Sequence, residues 1–151
     1  ARAEEIAATL ESGYAAHFAT GQIALTRAVL GAPDRAVAEA LTIDKADLRV
    51  RILWRIAAHV DGTTPAGHSA PGLRQLAARE AQAVENRFER AHLLSLISQW
   101  QLETGALIEA RQLFDQALIA AGEMESPWWR ARAFARMALL LAMIEAAEED
   151  H

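Results

Sequence analysis

The segment Gly105-Ala106-Leu107-Ile108-Glu109-Ala110-Arg111-Gln112-Leu113-Phe114-Asp115-Gln116-Ala117 constrains the fold more than any other part of the chain. Its Gly105, Ala110, Phe114 and Ala117 stand at relative positions 0, 5, 9 and 12. A glycine closes one helix because it accepts the left-handed backbone. The two alanines and the phenylalanine then share one face of the next helix, where they can pack on a neighbour. A helical hairpin built this way is apolar on both flanks and cannot bury itself alone. The expectation is an all-α fold of stacked antiparallel hairpins, about seven or eight helices in a single α-solenoid domain over residues 1–151.

Composition narrows the function. The chain is 52% apolar and 23% charged, enough for an ample core. Ala, Leu, Arg, Glu and Gln dominate, which favours helix over strand. Having no cysteine, it can hold neither a disulfide framework nor a thiolate metal site nor a Cys nucleophile. A formal net charge of −5 argues against general nucleic-acid binding. The longest apolar run, Met137 to Ile144, is eight residues, well short of the roughly 18–20 that cross a bilayer. Fourteen arginines against one lysine, Lys45, with an excess of alanine suggest a GC-rich bacterial genome. No compartment is readable; a cytoplasmic one is favoured, and a chain opening at Ala1 leaves an upstream leader open.

The periodicity predicts a first helix over Arg2–Ala19, with Ile6, Leu10, Tyr14 and Phe18 as its stripe and Thr20-Gly21 as its stop. A short helix over Gln22–Leu30 and a third from Asp34 to about Ile43, behind Pro33, complete irregular hairpins over 1–46. Asp47 is the expected cap of a helix reaching about Val60. Asp61 to Gly72 is a run of turn formers, read as an inserted loop. Leu73–Glu85 and Phe88–Thr104 follow, the second apolar on more than one side and hence the centre of the array. Leu107–Ala121 and, behind Ser126-Pro127, Trp128 to about Ala147 end the regular part.

Three segments align with one another. They begin at Arg49, Arg90 and Arg130, and read Arg-Val-Arg-Ile-Leu-Trp-Arg-Ile-Ala, Arg-Ala-His-Leu-Leu-Ser-Leu-Ile-Ser and Arg-Ala-Arg-Ala-Phe-Ala-Arg-Met-Ala. Steps of 41 and 40 residues fit one helical hairpin per repeat. From Ala91 to Met124 the chain resembles a tetratricopeptide repeat: Leu94 and Ile97 match the first helix of that motif, and Gly105, Ala110, Phe114 and Ala117 the second. The period exceeds the family's 34, Ser98 and Gln101 stand where a small and an aromatic residue are usual, and the resemblance covers roughly residues 47–147. It implies a right-handed superhelix whose concave groove takes extended or C-terminal peptide segments.

The chemistry is mostly an absence. There is no phosphate loop, no His-Glu-x-x-His, no Gly-x-Ser-x-Gly and no acidic calcium loop. The histidines have no i,i+3 or i,i+4 histidine partner, so neither a metal, a cofactor nor a catalytic residue is expected. In stacked hairpins the first helices line the concave side, which sets Arg51, Trp54, Arg55, His92, Ser95, Gln99, Arg132 and Arg136 there as candidate binding residues. Arginine there can grip a carboxylate; the plainer reading pairs these arginines with Asp47, Glu89, Glu125 or acids of neighbouring helices. Leu139, Leu140 and Met143 are expected to form an apolar docking patch on the last helix, with fraying after Ala147 and homo-oligomerisation as one way to cover the patch. The expected function is a non-catalytic protein-interaction scaffold for a protein or peptide partner with an acidic segment. The rival is a peptide- or small-ligand-sensing regulatory domain of a bacterial regulator.

Overall fold

The computed structural model describes residues 13–60 and 69–150. Among these there are seven helices and no strand. They are α1 (Tyr14–Val29), α2 (Pro33–Ala40), α3 (Ala46–Ala57), α4 (Ala70–Gln82), α5 (Arg87–Glu103), α6 (Leu107–Gly122) and α7 (Pro127–Glu149). The chain divides into two compact units, Ala1–Glu80 and Ala81–His151, with the division inside α4.

In the first unit α1 packs on α2 and α3. The expected break at Thr20-Gly21 does not occur, since α1 runs unbroken through both residues. The glycine serves proximity instead: a Cβ on Gly21 would lie 2.9 Å from Ile52 Cδ1 on α3. A side chain there would oblige the end of Ile52 to turn aside, and the glycine avoids this although it costs helix stability. Of the predicted stripe, Ile6 and Leu10 lie outside the described residues. Tyr14 and Phe18 are exposed; Ala24, Leu25 and Ala28 make the buried face. Gly31, at φ 76°, and Pro33, in the first turn of α2, stop and restart the chain as expected. Helix α2 ends at Ala40, short of Ile43.

Lys45, not Asp47, precedes α3, and Asp47 sits inside its first turn, where a carboxylate favours the positive end of the helix. Helix α3 ends at Ala57 and buries Leu48, Val50, Ile52, Leu53, Ile56 and Ala57. Of the expected loop, residues 61–68 lie outside the described residues. Its end is helical, because α4 begins at Ala70 and Ser69 Oγ accepts from Gly72 N at 3.2 Å.

In the second unit the hairpin forms as its sequence predicts. Gly105 has φ 79°. Ala110, Phe114 and Ala117 of α6 are buried, and Ser98 Oγ of α5 donates to the Ala110 carbonyl at 2.7 Å. Asn86 and Ser126 cap α5 and α7 through side chains that accept from Glu89 N and Trp129 N. Helix α7 packs on α5 and α6 along Ala133, Met137, Leu140 and Ile144.

Candidate functional site

The first arginine of each aligned segment makes the same tie. Arg49 Nη1 donates to the Ile43 carbonyl at 2.5 Å, Arg90 Nε to Val84 at 2.7 Å and Arg130 Nη1 to Met124 at 3.3 Å. Each time the acceptor is six residues back and belongs to a buried apolar residue. The guanidinium thus fastens the turn that leads into α3, α5 and α7, and satisfies a carbonyl that has no helical partner. With these arginines occupied, the basic residues two and six places further on carry the exposed charge.

Arg51, Trp54 and Arg55 lie on α3 in the first unit, where both arginines are exposed and Trp54 is half-buried. Arg74 of α4 lies over the Trp54 ring, 5.4 Å from its centroid. His92, Ser95, Gln99, Arg132 and Arg136 belong to the second unit. His92, Ser95 and Arg136 line one narrow cleft of about 30 Å³ between α5 and α7, with Phe88, Ala91, Ala133 and Met137. Ser95 Oγ is turned back to the Ala91 carbonyl at 2.8 Å, and Gln99 bonds Glu103 at 3.0 Å. Arg132 stacks 5.4 Å above the Trp128 ring.

Among the described residues, Arg51, Arg55, Arg132 and Arg136 make no ion pair, whereas Arg27, Arg49, Arg87 and Arg111 each meet a carboxylate. The pairing expected with Asp47, Glu89 and Glu125 is therefore absent; Glu125 instead approaches Arg87 at 4.0 Å. These four guanidiniums keep their donors available.

An aromatic run joins the cleft to the start of α7. The Phe88 and Trp129 rings meet edge-on at 4.9 Å, and Trp129 meets Trp128 at 4.6 Å. Below them a larger open cleft of about 810 Å³ is lined by Arg87, Phe88, Arg90, Glu123, Ser126 and Trp129 among others. Sequence reasoning assigned no role to Phe88, Arg87 or Glu123. Their spacing carries no motif, and only the fold brings the Arg87 guanidinium to the Glu123 carbonyl at 3.0 Å.

The apolar docking patch needs correction. Leu139 is 72% exposed and Met143 is exposed, but Leu140 is only 6% exposed because it stands on the stripe that packs against α5 and α6. The last helix also continues to Glu149, beyond the expected fraying at Ala147. Arg111 reaches Glu148 at 3.6 Å and offsets the cost of an acid near a helix C-terminus.

Comparison of the chain with protein-family models, with curated proteins and with solved structures finds no match. No helix among the described residues is long and apolar enough to cross a membrane. No cluster of three or more His, Asp or Glu that could hold a metal occurs among them either.

Proposed function

We propose that the chain is a tetratricopeptide-like helical-repeat scaffold, without catalytic activity, that holds an acidic segment of a partner protein on the exposed face of its first helices. The observation that carries this is two pairs of exposed arginines at matching places of the aligned segments. Arg51 and Arg55 lie on α3 in the first unit, Arg132 and Arg136 on α7 in the second, and none of them makes an ion pair among the described residues. Paired surface arginines contribute little and need no further role, but exposed donors left open suit carboxylates, which guanidinium grips with two hydrogen bonds. Trp128 under Arg132 and the exposed Leu139 and Met143 add apolar contact next to that charge. The tie repeated at Arg49, Arg90 and Arg130 supports a recurring helix-entry unit in the chain.

The test is capture of partners by the immobilised protein, followed by binding measurements with the captured segment. Reversing Arg132 and Arg136 to Glu is expected to abolish binding without lowering the melting temperature, and binding to the unaltered protein weakens as salt rises. Full retention by the reversed protein would sink the acidic-segment reading.

A further inference from the structure

Helix α7 repeats α5 at a shift of 40 residues, yet one of its flanks lacks a cover that α5 has. In α5 that flank is Leu94, Ser98 and Gln101, all buried. Ser98 bonds the Ala110 carbonyl of α6, and Leu94 shares a cleft with Gln116 and Ala120 of α6. The matching residues of α7 are Phe134, Ala138 and Leu141. Phe134 is 39% exposed, Ala138 is exposed and Leu141 is half-buried. Exposed Ala131 and Glu145 continue the same face by one turn at each end, since steps of three and four residues stay on one side of a helix. Thus α7 offers one half of a hairpin contact, and no described helix supplies the other.

We infer that this flank of α7 packs against the same flank of α7 in a second copy of the chain, antiparallel, about a twofold axis that crosses the flank midway between Phe134 and Ala138. Shape supports the choice of occupant. With the axis there, Phe134 of each copy faces Ala138 of the other, and Ala131 faces Leu141, so large residues meet small ones throughout. Helix α6 offers α5 the same kind of alternation through Ala110, Phe114 and Ala117. Charge supports it too. Glu145 of each copy falls beside Ser126-Pro127 of the other, at the positive end of that helix. A parallel pairing would set Phe134 on Phe134 and Glu145 on Glu145, with two carboxylates face to face. A twofold contact of this kind uses one face twice and closes at two copies. Arg132 and Arg136 lie on another side of the helix, so the acidic-segment reading and this pairing stand or fall separately.

Sedimentation equilibrium over a wide range of concentration, with a melting curve for every variant, tests the pairing. The unaltered chain is expected to dimerise reversibly. Ala138→Glu and Phe134→Gln are expected to hold it monomeric while it stays folded, because both side chains are exposed; Leu139→Glu, off the flank, is expected to leave dimerisation unchanged. Glu145→Lys is expected to weaken the dimer about tenfold, as the charge at two helix starts is reversed. A chain monomeric at every concentration, or an undiminished dimer from folded Ala138→Glu and Phe134→Gln, would overturn the inference. Tighter dimerisation by the neutral variant Glu145→Gln would overturn it as well, since only the parallel arrangement, with two carboxylates face to face, predicts that sign.

Discussion

Helices α5 and α7 carry the same pattern and meet different surroundings. Both start behind a side-chain cap, both fasten the preceding turn with an arginine, and both bury the eighth residue of the aligned segment, Ile97 or Met137. Yet α5 buries Ala91, Leu93, Leu94, Ile97, Ser98 and Gln101, on more than one side, whereas α7 buries the single stripe of Ala133, Met137, Leu140 and Ile144. The less covered helix contains the longer apolar run. Apolar content therefore reports how many neighbours a helix can take, not how many it has. The surplus on α7 is surface available for binding.

Seven substitutions probe this contrast, all at concentrations where the chain is monomeric. Phe114→Ala has the largest expected effect, about 3–5 kcal/mol in a thermal or chemical melt, because it hollows the cover over α5. Next, Leu94→Ala is expected to cost about 2–5 kcal/mol, while Phe134→Ala at the matching place should cost less than about 1 kcal/mol. Equal losses would mean that the two flanks are covered alike and would erase the distinction. Gly105→Val comes third, at about 1–3 kcal/mol. A Cβ there meets nothing within 4 Å, so the loss comes from the left-handed backbone alone, and Gly105→Asn should recover part of it. The smallest is Ser98→Ala, about 1 kcal/mol from the lost hydrogen bond to Ala110. Its partner experiment, Ala138→Ser, should leave the melting temperature unchanged, since no carbonyl waits there.

The hairpin of α5 and α6 was legible because its signals are local: a glycine at a turn and a small-large-small face. Gly21 was misread for a physical reason. Glycine ends helices through its freedom at positive φ, as at Gly31 and Gly105, but in α1 it serves by lacking a Cβ, and one letter covers both uses. Leu140 was misplaced because Met-Ala-Leu-Leu-Leu-Ala-Met-Ile is apolar in every direction, so periodicity cannot say which side faces a neighbour. The exposed arginines were readable from the aligned segments. Their lack of ion pairs was not, since it depends on where distant acids come to rest: Glu80 goes to Arg49, Glu123 to Arg87 and Glu148 to Arg111.

The arginine ties at Arg49, Arg90 and Arg130 bear on how the molecule assembles in time. Each closes a ring of only six residues, so the entropy lost on forming it is small and independent of the rest of the chain. A junction of that kind can form as soon as its own short segment exists, before any distant contact is available. Chains dominated by such short-range closures fold fast. During synthesis, each turn into α3, α5 and α7 is thus expected to be set as it leaves the ribosome, ahead of the packing of the helix that follows it.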